Sequence, residues 1–308
     1  MHKSIQLIVG LAGFWAIVPA LLSQADTTSP SAPAVPANKL GLGLNTTAGF
    51  IPAQLERSRF PFEGRRNVFG KDERIPMNSS KHPWSAIGRI EIPVNATTTN
   101  ICTGSLIGKN LVVTNAHCVL DKKTKQVTTN KIRFRPNLIG GQALAAAFAT
   151  KVVLGTTDPR NDRGNDWAFL VLDKPLGATH GTLKILLNDA FLDLDQIKGQ
   201  INLAGYSSDF PKDMPAATAG VHKGCSIRGF GSQLGTVSHD CDMMAGASGG
   251  PMFMWLPDGS AVILALNAAE RVSPEGKTPP AFSRQTANIG VYAATWARKA
   301  NELLKAQQ

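Results

Sequence analysis

The chain has 308 residues, 18% of them charged and 43% hydrophobic, a balance that excludes intrinsic disorder of the whole. Its 29 Gly and 19 Pro follow no fixed period, which excludes collagen and long coiled coils. Lys and Arg number 32 against 22 Asp and Glu, a net charge of +10. The basic residues are scattered (Arg65-Arg66, Lys122-Lys123, Lys131 to Arg135) and no stacking aromatics alternate with them. A solvated basic surface is therefore favoured over a nucleic-acid partner.

At the N-terminus, His2 and Lys3 precede an apolar run from Ile5 to Leu22, followed by the small-residue stretch Ser23-Gln24-Ala25. This pattern predicts a secretory signal peptide over 1–25 that is removed, leaving no stable membrane anchor. Residues 26–60 are rich in Ser, Thr, Pro and Ala, and 26–67 is predicted to be a propeptide or flexible linker without a core of its own. Arg65-Arg66 forms a protease-sensitive pair in this segment, so the mature chain is expected to begin at Asn67 or Val68.

From residue 68 onward, short apolar runs recur between Gly, Pro, Asn and Asp. They include Ala86–Ile92, Ser105–Ile107, Leu111–Thr114, Lys131–Phe134, Ala168–Leu172, Pro251–Met254 and Ala261–Leu266. Many short strands separated by turn signals predict an all-β sandwich or barrel. One long helical pattern stands at the C-terminus, over Thr295–Leu304, with Trp296, Ala300, Leu303 and Leu304 on one face.

Three segments carry residues fit for acyl-transfer chemistry. Thr114-Asn115-Ala116-His117-Cys118 follows a strand-like Leu111-Val112-Val113, and a histidine held rigidly there could serve as a general base. Asp166 sits directly before the apolar run Ala168–Leu172, where a buried carboxylate could orient an imidazole. Gly246-Ala247-Ser248-Gly249-Gly250-Pro251 is a glycine-lined turn. Glycines there let successive backbone N–H groups point at one oxyanion. The other histidines (His2, His82, His180, His222, His239) lack such a setting and are read as ordinary residues.

The four cysteines form no CxxC pair, and His117 has no partner at zinc-ligand spacing. Two disulfides are expected, and neither a metal nor an organic cofactor.

In the order His, Asp, Ser these segments resemble trypsin-like serine proteases of the chymotrypsin fold. The resemblance extends to Cys102–Ile107 with Val112–Cys118, and to Asn288–Tyr292 followed by a helix, covering roughly 68–308. It implies two antiparallel six-stranded β-barrels, the active site between them, and a C-terminal helix. It also implies Ser248 as nucleophile, His117 as general base, Asp166 as the orienting group, and the N–H groups of Gly246 and Ser248 as oxyanion hole. It pairs Cys102 with Cys118 and Cys225 with Cys241, each bridge worth about 3 kcal/mol by loop closure.

Within that superfamily the chain looks most similar to the bacterial V8-like, or glutamyl-endopeptidase-like, branch. The similarity lies in Val68–Arg74, Pro83–Gly88 and His239-Asp240-Cys241-Asp242. In that branch a freed N-terminal amino group, here that of Val68, lies near the substrate pocket. The pocket is assigned to Asp242, Met243 and Asn267. Members that cut after Glu carry a Thr where this chain has Met243, and a His on the strand that here reads Ala265-Leu266-Asn267-Ala268-Ala269. Glu specificity is therefore not expected. Asp242 lies six residues before Ser248, where trypsin has the acid that binds Arg or Lys. Pairing of Asp242 within its own loop is the favoured reading, and Ala268-Ala269 replaces the glycines that keep a trypsin pocket open.

The expectation is a secreted or periplasmic serine endopeptidase, monomeric, acting on protein or peptide substrates. The alternative is a catalytically silent trypsin-like fold that binds polyanions or cell-wall polymers. An intact triad argues against it.

Overall fold

In the first half of the fold, strands β2 (Ile87–Pro93), β3 (Thr99–Leu106), β4 (Leu111–Thr114), β5 (Arg133–Pro136), β6 (Ala147–Leu154) and β7 (Ala168–Leu172) close into a barrel in the order β2-β3-β4-β7-β6-β5. The structure is a computed structural model and describes residues 68–307, apart from 96, 122–123, 128–130, 187–192 and 271–280. The expected signal peptide and propeptide lie outside the described residues, as does Asn67. The barrel interior is filled by Ile90, Leu106, Val112, Phe134 and Phe169, all fully buried. Two neighbouring strands meet closely at Gly88: a Cβ there would lie 2.5 Å from the Phe134 ring.

The second half holds β1 (Ile75–Pro76), β8 (Lys184–Ile185), β9 (Ile201–Gly205), β10 (Gly220–Cys225), β11 (Ile227–Phe230), β12 (Thr236–His239), β13 (Pro251–Trp255), β14 (Ala261–Ala269) and β15 (Asn288–Tyr292). Their order is β1-β10-β9-β13-β14-β15-β12-β11, with β8 added beside β14. Strands β10 and β11 lie far apart in that order, yet only Ser226 separates them in the chain. They are one bent strand, and its continuity joins the two ends of the sheet. Counted so, the second half is a six-stranded barrel with β1 and β8 as additions, and the expected pair of barrels is found.

The apolar runs at Leu111–Thr114 and Ala168–Leu172 are strands with the expected bounds. Others were not legible. Strand β6 (AFATKVVL) has a polar centre at Thr150 and Lys151, and β10 (GVHKGC) carries little apolar patterning. β6 pairs with β5 and β7, and β10 with β9 and β1, and that pairing supplies the order local propensity does not.

The helix at the C-terminus, α3 (Ala297–Lys305), starts two residues later than the periodicity suggests, because a 3-10 turn occupies Ala293–Thr295. Trp296 caps the junction, is fully buried, and meets the Phe169 ring edge-on at 6.2 Å. The C-terminal segment is thus fastened to the first barrel. Two shorter helices, α1 (Ala116–Val119) and α2 (Gly177–His180), complete the described helices. The disulfides join Cys102 to Cys118 and Cys225 to Cys241, the pairing that the resemblance implies.

Trp296→Ala removes the largest fully buried side chain and leaves a cavity between helix and barrel. It should cost about 3–5 kcal/mol, read as a lower urea midpoint at unchanged m-value.

Candidate active site

The register of two strand pairs assembles the site. Thr114 at the end of β4 pairs with Ala168 at the start of β7, so the residues after β4 lie beside those before β7. His117 on α1 and Asp166 meet there. The His117 Nδ1–H donates to Asp166 Oδ2 at 2.7 Å, and the His117 backbone N–H donates to Asp166 Oδ1 at 2.9 Å. Asn115 Nδ2 donates to the Asp166 carbonyl at 2.7 Å. Asp166 is fully buried, while the His117 ring is 33% exposed. One ring nitrogen is thereby held, and the other, Nε2, makes no hydrogen bond among the described residues. The platform beneath Asp166, a 3-10 turn at Arg163–Asn165, is met by the second barrel: Arg163 N–H donates to Gln233 Oε1 at 3.0 Å, in the β11–β12 turn.

The second register pairs Pro251 at the start of β13 with Leu266 near the end of β14. The turn before β13 therefore lies against Asn267. In this turn Gly246 has φ +96°, and a Cβ there would lie 2.4 Å from the Tyr206 carbonyl oxygen. Only glycine fits this backbone and this approach. Among the described residues, the N–H groups of Gly246 and Ser248 donate to no protein acceptor. Both remain available to a ligand oxygen.

The turn is also gripped by the first barrel. Thr103 on β3 donates its N–H to the Ser248 carbonyl at 2.8 Å and its Oγ1–H to the Gly246 carbonyl at 3.0 Å. The Thr103 hydroxyl accepts the Tyr206 N–H at 2.9 Å, and the Thr103 carbonyl accepts Thr114 Oγ1–H at 2.8 Å. The sequence did not single out Thr103. Its contacts reach more than a hundred residues along the chain, and no local pattern announces them.

At the floor of the expected pocket, Asp242 is buried. Its Oδ1 accepts the Phe69 N–H at 2.8 Å and its Oδ2 the Glu73 N–H at 2.9 Å. The carboxylate binds the segment that follows Val68, rather than groups of its own loop. His222, read from sequence as an ordinary residue, lies here too. Its Nδ1 accepts the Asp242 N–H at 2.8 Å and its Nε2 lies 3.5 Å from Glu73 Oε2. Met243 is buried, and Asn267 is fully buried. His239 is fully buried as well, and burial pushes its ring down to about 3, against the pull of the Asn267 side chain.

Beside this floor, Arg74 makes paired contacts with Asp72 and Asp209, each at 2.8 Å, and stacks on Phe210. Glu270, directly after β14, is pushed up to about 7 by burial and by the Asp209 charge, against the attraction of Arg74. One guanidinium thus faces three carboxyl groups.

Among the described residues, two groups bring His, Cys, Asp or Glu side chains within 4.8 Å of one another: Cys102 with His117 and Cys118, and Glu73 with His222 and Asp242. The first has its sulfurs in a disulfide. In the second, both Asp242 oxygens and His222 Nδ1 already hold backbone N–H groups. Neither offers a set of free metal donors.

Two barrels, a histidine held by a buried aspartate and a glycine-lined serine turn define a trypsin-like serine peptidase. The trypsin-like peptidase domain family matches residues 102–262, just over half of the chain, and the protein belongs to that family. "Serine protease 23" of Rattus norvegicus is 25% identical over 222 residues, 65% of this chain and 52% of the rat protein. The Homo sapiens protein of the same name is 24% identical over 222 residues, with the same shares. The chain spans about half the length of the curated relatives it matches. Among solved structures, a Glu endopeptidase in complex with MPD superposes with a TM-score of 0.58 at 20% identity, over 77% of this chain and 99% of that one. The protease Anisep from Arthrobacter nicotinovorans gives 0.52 at 19%, over 72% and 98%. These likenesses show the fold.

The Glu270 shift has a sign that can be tested. Its carboxyl titrates near 4.5 when unperturbed and near 7 when folded, so between those values the folded state holds the extra proton. Stability therefore falls as pH rises from 4.5 to 7 and levels off above. Glu270→Gln should abolish that fall, gaining on the order of 1–3 kcal/mol over the parent between pH 5 and pH 8. Urea unfolding at the two pH values reads it.

Proposed function

We propose that the protein is a secreted serine endopeptidase that cleaves peptide bonds through an acyl-enzyme. Ser248 Oγ attacks the peptide carbonyl. His117 Nε2 takes the serine proton and returns it to the leaving amine. Asp166 holds the tautomer and offsets the imidazolium charge. The N–H groups of Gly246 and Ser248 receive the oxyanion of the tetrahedral intermediate. Water then attacks the acyl-enzyme, with His117 again as base, and Ser248 is released. No step requires a metal or organic cofactor.

The single observation that carries this reading is the two-point hold of Asp166 on His117, through Nδ1 at 2.7 Å and through the backbone N–H at 2.9 Å. It fixes both the tautomer and the direction of Nε2.

The pocket reading follows from the same geometry. The Asp242 carboxylate is occupied by the N–H groups of Phe69 and Glu73, so it does not select Lys or Arg. No histidine stands where the Glu-cutting relatives carry one. With Met243 and Ala268 buried at this end of the barrel, the residue before the cleaved bond is uncharged. Residues 1–25 act as the export signal and 26–67 as a propeptide, with the mature chain starting at Asn67 or Val68. The hold of Asp242 on the N–H groups of Phe69 and Glu73 supports that boundary, since it ties the first residues after Val68 to the second barrel.

Ser248→Ala should lower turnover of a peptide library by at least about 10³-fold with an unchanged urea midpoint, and should abolish labelling by a fluorophosphonate. If the parent itself is not labelled and binds a polyanion, the silent binding fold is the correct reading. N-terminal sequencing of the exported protein should begin at Asn67 or Val68; a fully active chain starting near Asp26 would make 26–67 a tether.

A further inference from the structure

Asn267 stands at the end of β14, where the sequence suggested a residue that reads the substrate. Its contacts point elsewhere. Its carbonyl accepts the Gly249 N–H at 2.8 Å, and its own N–H donates to the Gly250 carbonyl at 2.9 Å. Its side-chain Nδ2 donates to the Ala247 carbonyl at 3.0 Å. These three bonds fall on both sides of Ser248, and Asn267 is fully buried.

The third bond matters most. The Ala247 carbonyl and the Ser248 N–H belong to one planar trans peptide, so they point in opposite directions. Fixing the carbonyl fixes the N–H. The neighbouring peptide follows the same rule: the Ala245 carbonyl accepts the Ser208 N–H at 2.8 Å, which sets the direction of the Gly246 N–H. Both presumptive oxyanion donors are thus aimed from behind. For Ser248, the aiming groups are Asn267 Nδ2 and the Gly250 N–H, which reaches the same carbonyl at 2.9 Å. The Gly250 bond lies within the turn and moves with it. The Asn267 bond ties the peptide to the barrel wall.

We propose that Asn267 is a positioning residue that aims the Ser248 N–H at the oxyanion, and that it does not contact the side chain of the substrate. The inference rests on the proposed function. It adds a residue type with a reason: an amide supplies a donor to Ala247 without carrying charge into a buried wall. A carboxylate of the same shape could only repel that carbonyl.

The test compares the parent with Asn267→Ala and the isosteric Asn267→Asp. The Asp variant guards against a simple cavity effect, because it keeps the volume and, assayed at alkaline pH where its carboxyl is ionised, removes the donor. Steady-state kinetics on the best peptide from library profiling should show kcat lowered about 10- to 100-fold in both, somewhat less than the loss of a whole oxyanion donor. KM should stay within about threefold of the parent, since uniform substrate binding is untouched. Inhibition by a peptide aldehyde, whose hemiacetal oxygen needs the oxyanion site, should weaken by a similar factor, while a non-covalent product peptide should bind as before. A changed residue preference, or a KM effect with kcat retained, would assign Asn267 to the pocket and overturn the proposal. So would an Asp variant with parental kcat. If instead the parent neither cleaves peptides nor takes a fluorophosphonate, the peptidase reading fails and this inference goes with it; an active parent with equally active variants defeats the inference alone.

Discussion

The hydrogen bonds of Thr103 join the two halves of this protein where the chemistry is done. The residue lies on β3 of the first barrel, is fully buried, and uses its N–H, hydroxyl and carbonyl at once. Two bonds go to the serine turn, one comes from Tyr206 at the exit of β9, and one comes from Thr114 at the end of the strand that leads to His117. A polar group without a partner in such a place would cost several kcal/mol. Satisfying these donors and acceptors through one residue sets the spacing between the histidine barrel and the serine barrel. Tyr206 repeats the pattern further back, with its hydroxyl bridging the N–H and carbonyl of Leu138 at 2.9 and 3.2 Å. The barrels are therefore keyed together by directional bonds and not by apolar contact alone.

Behind the site the electrostatics follow a shortage of positive charge, in a chain whose net charge is +10. Arg74 answers Asp72 and Asp209, and Glu270 is left to titrate near neutrality. At Asp242 the compensation comes from backbone N–H groups instead. The segment after Val68 thus acts as a counter-ion in neutral form: it supplies dipoles to a buried carboxylate. The first barrel shows the reverse arrangement, with Glu91 meeting Arg89 on its own strand and Arg133 and Arg135 on β5; burial pushes the Glu91 carboxyl up, but Arg89 and Arg133 outweigh it and hold it below its usual range.

How much of this could be read from the sequence depends on how local each signal is. His117, Asp166 and Ser248 each sit at the end of an apolar strand or in a glycine-lined turn, so their settings lie within a few residues of themselves. The strand registers that bring His117 to Asp166 and Ser248 to Asn267 come from pairings such as Thr114 with Ala168 and Pro251 with Leu266. The resemblance to a known order of residues implied that Asp166 meets His117; neither it nor periodicity gave those pairings. Thr103, Glu73 and His222 were missed because their partners are remote in sequence and their types are ordinary. For Asp242 the sequence favoured pairing within its own loop, but its carboxylate is held by N–H groups of the N-terminal segment, about 170 residues away. Strands β6, β10 and β11 were missed for a related reason: their polar and glycine positions break the alternation that marks a strand.

The bend at Ser226 decides how the second barrel meets other molecules. Because β10 and β11 are one strand folded back around the wall, the main ladder of the described strands ends at β1 and at β11, with the two-residue β8 as a further margin beside β14. β1 is two residues long and ends in Pro76, which has no N–H to offer. β11 is four residues long, is interrupted by an irregular register between Ile227 and Gly229, and carries Arg228 on its exposed side. Neither end is a template on which a foreign strand could lengthen the sheet, and short, proline-bearing or charged margins of this kind are how β proteins resist aggregation. Among the described strands, the margins of this sheet are thus closed, spoiled or too short to pair.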